Sequence, residues 1–352
     1  MGKQSIEAPD NNLKKGQIEM RGYLDENDKI EFAATAIAIT IDWGDGTIEK
    51  FAPNGLDSTF AHVYNNKVNC YTITVSTENM IELSCLGSLT SLNVSGCSVL
   101  TRLDCSATSL TSLDLSDCTI LTNLDCSFSS LISLDVSGCT ALATLDCSVG
   151  ELTSLNLKGC TALTTLDCST NKLTALDVSG CISLISIDCS DNRLTSLNLS
   201  GCTALIELDC GYNQLTSSDI SGLTALKILD CSGISLISLD MSNCSALTRL
   251  SCCDCQLTSL DLSKNTALTT LYCYSNQLTS LDVSGCIVLA ALNCCGNPLT
   301  DEVLNSIFIG LPDYANTQKE AWISYCRTIG KETCKKEIFI NKGWKMVSPY
   351  LL

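Results

Sequence analysis

Leu268-Thr-Thr-Leu271-Tyr-Cys273-Tyr-Ser-Asn276-Gln-Leu278-Thr-Ser-Leu281-Asp-Val283-Ser-Gly-Cys286 decides how this chain is read. Its apolar residues and cysteines return at the same offsets along most of the sequence. Cysteines stand at Cys105, Cys126, Cys147, Cys168, Cys189, Cys210, Cys231, Cys252, Cys273 and Cys294, each step 21 residues, and Cys85 precedes them by 20. In most turns a Leu or Ile lies two and five residues before the cysteine. A second row follows at Cys97, Cys118, Cys139, Cys160, Cys181, Cys202, Cys244 and Cys286, interrupted by Leu223 and Asn265. A fixed period of this length means stacked supersecondary units, none of which can bury its apolar face alone.

The repeat changes the meaning of the composition. The chain has 352 residues, 25 cysteines, one histidine and a formal net charge of −17. So many cysteines invite a disulfide or zinc reading. Register removes most of it, because 19 of them fall in inward slots and act there as small hydrophobes. In-register side chains on parallel strands hold their Cβ atoms about 4.8 Å apart, beyond the usual disulfide range. Cys252-Cys253-Asp254-Cys255 looks like a metal ligand set, but in register Cys252 points inward, Cys253 outward, and Cys255 takes the slot that Asn276 holds one turn later. No cofactor or metal is expected. Outside the repeats, Cys326 and Cys334 are the disulfide candidates. The negative charge makes nucleic acid a poor partner.

The unit L-x-x-L-x-C-x-x-N-x-L is similar to the leucine-rich repeat with cysteine in its third leucine slot. The fold class implied is an α/β leucine-rich repeat solenoid, right-handed and gently curved. A parallel β-sheet would line the concave face and an extended, non-helical back the convex side. A two-faced β-helix is the alternative, because Leu278-Thr-Ser-Leu281-Asp-Val283-Ser mimics the strand half. The unit resembles the cysteine-ladder repeats of internalin J and of surface proteins from gut commensal bacteria. Such proteins often carry a small β-module with W-G-D-G-T before the repeats. Here Asp42-Trp43-Gly44-Asp45-Gly46-Thr47, with His62-Val63-Tyr64 and Tyr71-Thr72-Ile73-Thr74-Val75, is similar to the polycystic-kidney-disease β-sandwich. The resemblance implies a non-enzymatic surface or secreted binding protein.

The expected organisation is a flexible segment at 1–15, a small β-module at 16–80, about eleven repeat turns at 81–299 and a helix-and-strand cap at 300–352. In the cap, Thr300 opens a helix that Gly310 and Pro312 stop, 321–326 is a strand, 332–341 a second helix, and 344–347 is extended. Asp42 and Asp45 read as turn residues, and His62 as a structural hydrogen-bonding residue beside Tyr64. In the asparagine slot, Thr108 and Ser129 should substitute in part, and the Ile234 turn should be looser.

Residues that alternate with the inward ones face the concave side. One row there is Asp104, Asp125, Asp146, Asp167, Asp188, Asp209 and Asp230, then Ser251, Tyr272 and Asn293. Stacked like charges cost stability. The row reads either as solubility and edge protection, as a surface for a basic partner, or as carboxylates bridged by calcium. Later turns carry aromatic and basic variation, so Arg249, Tyr272 and Tyr274 with Asp188, Asp209 and Asp230 form the candidate binding patch.

The function expected is recognition of a protein or glycan, with a basic ligand as one case, by a monomer. The alternatives are a cell-envelope spacer without a ligand and, remotely, a hydrolase, for which His62 would be the sole base. No signal-peptide core, myristoylation signal or membrane-spanning apolar run is present. The expected location is extracellular or at the cell surface, with the export signal outside this sequence. If Met1 is the true start, the cytoplasm is the alternative.

Overall fold

The computed structural model describes residues 14–348 except 25–28, 54, 56, 65–69, 78, 217–219, 221 and 327. The expected N-terminal segment at 1–15 lies almost wholly outside these. The chain forms two compact units, Met1–Leu173 and Thr174–Leu352.

In the first unit, β1 (Gln17–Gly22), β2 (Lys29–Thr35), β3 (Ile39–Asp42), β4 (Ile48–Phe51), β5 (Asp57–Val63) and β6 (Tyr71–Thr77) precede β7 (Glu82–Leu86) and β8 (Leu89–Asn93). Side chains alternate along them: β1 buries Ile18 and Met20, and β6 buries Tyr71, Ile73 and Val75. One sheet runs β4-β3-β6-β1-β8 with antiparallel pairing, and Ser112–Asp114 then adds to β8 in parallel. The other runs β5-β2-β7 antiparallel, and Arg102–Asp104 adds to β7 in parallel. Both ladders of the first repeat turn thus continue into the N-terminal strands, so its apolar end face and open edges are covered.

The Asp-Gly turns are as expected. Asp42 Oδ1 accepts from Gly44 N and Asp45 Oδ1 from Thr47 N, at 3.0 and 2.9 Å. His62 Nε2 lies 2.9 Å from Asp45 Oδ2, and the imidazole stacks on the fully buried Trp43 at 4.9 Å between centroids. Tyr64 meets it edge-on and donates to the Trp43 carbonyl at 2.6 Å.

Each repeat turn buries the slots the period marks. In one, Leu142, Leu145, Cys147, Leu152, Leu157, Cys160 and Leu163 are all buried. Each such leucine contributes about 1.5–3 kcal/mol relative to exposure. The front strands Arg102–Asp104, Asn123–Asp125, Thr144–Asp146 and Thr165–Asp167 pair in register. The backs are extended, not helical. Ser133–Asp135 pairs with Ser154–Asn156, and in the second unit Ala175–Asp177 pairs with Ser196–Asn198.

The cysteines have a role beyond filling space. Thiols of the first row donate to the next turn's carbonyls, as from Cys105 to Asp125 O at 3.5 Å and from Cys147 to Asp167 O at 3.4 Å. Thiols of the second row donate to the previous turn, as from Cys160 to Val136 O at 3.3 Å. Asn265 takes the same two acceptors with its amide, Met241 O and Cys244 O. None of the 25 cysteines is in a disulfide. Asparagines do the matching work in their slot. Asn171 donates to Cys147 O and Cys168 O and accepts from Leu152 N, stapling two turns.

Thr108 substitutes by donating to Cys105 O at 2.7 Å. The Cys255 thiol donates to Cys231 O and Cys253 O, the places an asparagine would reach. Ile234 is buried, at 1 % exposure, and its turn is tightened by Leu236 N donating to the Ile234 carbonyl.

In the second unit, α1 (Asp301–Gly310) starts at its N-cap Thr300, which accepts from Val303 N, and buries Leu304, Ile307 and Phe308. Ala321–Ser324 and Trp344–Met346 extend the parallel sheet beyond Ala291–Asn293. One expectation needs correcting. The second helix, α2, is only Glu337–Asn341 and does not begin at Glu332. Residues before it are held as turns against the start of α1: Gly330 N donates to Leu299 O, and a Cβ on Gly330 would meet Asp301 N at 2.0 Å.

Candidate ligand-binding face

Each front strand from Arg102–Asp104 to Ala291–Asn293 spans three residues, so two side chains per turn stand on its outer side and one faces the core. In the first unit Asp104, Asp125, Asp146 and Asp167 stand opposite one another across the ladder. With Arg102, Asn123, Thr144 and Thr165, and with Leu103, Leu124 and Leu145 at its floor, they line a trough of about 380 Å³. Local chemistry explains the acidic row. Asp104, Asp125, Asp146 and Asp167 each accept, through Oδ1, both the backbone N–H and the hydroxyl of the serine two residues on, at 2.7 Å for the hydroxyl. These charge-assisted bonds partly offset the repulsion between stacked carboxylates.

In the second unit Asp188, Asp209 and Asp230 stand in register with one another, followed by Ser251, Tyr272 and Asn293. Asp209 is the exception in chemistry. Gly211 stands where other turns have serine, so Asp209 accepts only a backbone N–H, at 3.0 Å. Burial, aided by Asp230 and Asp188 on either side, pushes its carboxyl up to about 6.

The structure brings part of the candidate patch together. Arg249 is exposed, and its guanidinium carbon sits 5.5 Å from the centroid of the Tyr272 ring. Such a cation–π pair holds both side chains in one geometry. Tyr274 lies one turn beyond Cys253, half-buried, and burial pushes its hydroxyl up to about 12. Asp209 and Asp230 are adjacent to each other on the same face, and Asp188 flanks Asp209.

Cys253 was expected to point out to solvent, but it is 1 % exposed. It occupies an outward strand slot, yet Ser251 and Ser232 crowd its thiol and backbone, and Ser232 and Ser251 are themselves buried and hydrogen-bonded at 2.8 Å. Cys295 is likewise buried. The face is therefore closed around Cys253 and Cys295 and more open at Arg249 and Tyr272. Among the described residues, no three His, Cys, Asp or Glu side chains converge where a metal ion could sit.

Sequence reading missed a third outward row. Two residues after each ladder cysteine the backbone is left-handed, with φ between 50° and 55° at Ala107, Phe128, Val149, Thr170, Asp191, Tyr212, Asp254 and Ser275. Gly87, Gly233 and Gly296 fill the same slot. Those glycines were the available signal. The row thrusts Phe128 and Tyr212 into solvent, at 61 % and 55 % exposure, and Tyr212 lies against Gly233, where a Cβ would meet its ring at 2.6 Å.

The family model described as Leucine Rich Repeat matches residues 109–131. Among solved structures, the functional domain of InlJ from Listeria monocytogenes, which includes a cysteine ladder, superposes with a TM-score of 0.64 at 29 % identity. The match covers 74 % of this chain and 61 % of that one, so the chain spans less than two thirds of the InlJ domain's length.

The fold is a leucine-rich repeat solenoid.

Two more leucine-rich repeat structures share it. A leucine-rich repeat protein of Leptospira interrogans matches at TM-score 0.61 and 19 % identity, over 72 % of this chain and 68 % of that one. Internalin InlF of Listeria monocytogenes matches at TM-score 0.55 and 19 % identity, over 76 % and 86 %. At these identities the likeness is one of fold. No curated protein matches the chain at the sequence level. No helix among the described residues is long and apolar enough to cross a membrane.

Proposed function

We propose that this leucine-rich repeat chain is a non-enzymatic binding module, displayed at the cell surface or secreted, that recognises a protein or glycan through its strand face. Residues 16–80 and 300–352 serve as caps of the repeats at 81–299. The contact set is Arg249, Tyr272 and Tyr274 with Asp188, Asp209 and Asp230. The observation that carries the reading is the Arg249–Tyr272 pair, 5.5 Å from guanidinium to ring on the outward side of the strands. Arginine and tyrosine held in place on a rigid sheet lose little entropy on contact and are favoured interface anchors. The flanking carboxylates suit a partner with basic groups.

The test is a screen of immobilised glycans and extracellular proteins with the full chain, then with Arg249→Ala, Tyr272→Ala and Tyr274→Ala combined. Affinity for any ligand found should fall at least about tenfold. A ligand bound equally by the triple variant would move the contact set elsewhere. Absence of any binding would favour the spacer reading.

A further inference from the structure

We propose that Cys295 and Cys326 form a reactive dithiol, a modification site for low-molecular-weight disulfides, and that its oxidation links the last repeat turn to the strand beyond it. The two residues lie in register. Asn293 pairs with Ser324, and ladder bonds from Cys294 N to Ser324 O at 2.9 Å and from Gly296 N to Cys326 O at 2.8 Å fix the backbone on both sides. Between those bonds the Cys326 N–H points at the Cys295 sulfur, 2.9 Å away, and that sulfur is also 3.0 Å from the Ser324 hydroxyl.

The ladder cysteines differ. The thiols of Cys105, Cys147, Cys210 and Cys231 aim at carbonyls of the neighbouring turn, as Cys210 does at Asp230 O. In-register Cβ atoms of a regular parallel pair also stand about 4.8 Å apart, slightly too far for a bridge. Cys326 lies beyond Ser324, where the strand has ended and a turn has begun. A shift of a fraction of an ångström there closes the gap. The other candidate partner, Cys334, turns its thiol to Lys331 O.

Access assigns the roles. Cys326 is half-exposed and Cys295 is buried at 5 % exposure. Cys326 loses its proton, and its thiolate attacks one sulfur of a small disulfide R–S–S–R. A mixed disulfide forms, and R–S⁻ leaves and takes up a proton. The Cys295 thiolate then attacks the Cys326 sulfur, the mixed S–S bond breaks, and the second R–S⁻ leaves and is protonated. The protein loses two hydrogens, and R–S–S–R is reduced to two thiols.

The test incubates the native full chain with oxidised glutathione, then blocks free thiols and maps peptides without reduction. The expected product is a crosslink between the peptides carrying Cys295 and Cys326, reversed by dithiothreitol. In Cys295→Ser the reaction should stop at a glutathione adduct on Cys326, and in Cys326→Ser neither crosslink nor adduct at Cys295 should form. A Cys326–Cys334 crosslink in the wild-type chain, a persistent adduct on Cys326, or no reaction at either residue would each overturn the proposal. The wild-type map decides the matter even if a variant fails to fold.

Discussion

At the scale of single residues, the repeat shows what a slot demands when its usual occupant is absent. Asn265 stands in the second cysteine row and donates to the carbonyls a thiol would reach, but its Oδ1 is buried without a partner. An orphaned buried acceptor costs about 1–3 kcal/mol. Asn265→Cys removes that acceptor and keeps a donor, so it should stabilise the chain by about 1 kcal/mol, read as a raised denaturation midpoint; a lowered midpoint would refute the argument. Asp209 poses the converse case. Its pKa of about 6 against 3.8 for a free carboxyl means the fold favours the protonated form. The contribution of this group is therefore adverse at neutral pH, and stability rises as pH falls from about 6 towards 4. Gly211→Ser supplies the hydroxyl that Ser190 and Ser169 give their aspartates. A Cβ there meets Ser232 O at 3.0 Å, a contact the strand must relax by tenths of an ångström. The Asp209 midpoint should fall, as read by carboxyl NMR titration, and an unchanged midpoint would show that burial alone sets it.

At the scale of the turn, the inward slots were legible because a period of 21 cannot be produced by anything but stacking. Leu268, Leu271 and Leu278 announced themselves as core and are buried. Outward slots were less legible, since a position's direction does not say what leans over it. Cys253 faces outward and is nevertheless covered. The left-handed residue two places after each ladder cysteine was hidden because eight non-glycine residues occupy it, each held there by the turn's hydrogen bonds. Val149 and Thr170 are the costliest, being β-branched at φ 54° and 53°. A left-handed residue of this kind costs about 1–2 kcal/mol, and Val149, at 37 % exposure, loses little burial on truncation. Val149→Gly should therefore stabilise the chain by up to about 1 kcal/mol, less the extra entropy of an unfolded glycine. Gly296→Val at the equivalent slot should destabilise by a similar amount. If thermal scans moved the two variants in the same direction, backbone conformation would not be the controlling cost.

At the scale of the whole molecule, the 25 cysteines divide by access and not by chemistry. Cys70 is exposed and Cys326 half-exposed, whereas the other cysteines are buried. Burial also disfavours the thiolate: it pushes Cys85 up to about 12 and Cys160 to about 11. The thiolate is the reactive form, so a ladder cysteine is protected both by exclusion and by protonation. Composition alone could not reveal this, because the count is the same for a disulfide scaffold, a zinc protein and a thiol core; only the register separates them. A thiol-specific disulfide reagent at pH 8 should therefore consume about three thiols rapidly in the native chain, Cys70, Cys326 and, through the mixed disulfide, Cys295, and all 25 in denaturant. Because each turn's thiols are shielded by its neighbours, intermediate denaturant should release thiols in groups and not singly. Rapid native reaction of ten or more thiols would mean the turns open on the timescale of labelling, and the cysteine rows would then be reactive surfaces and not a core.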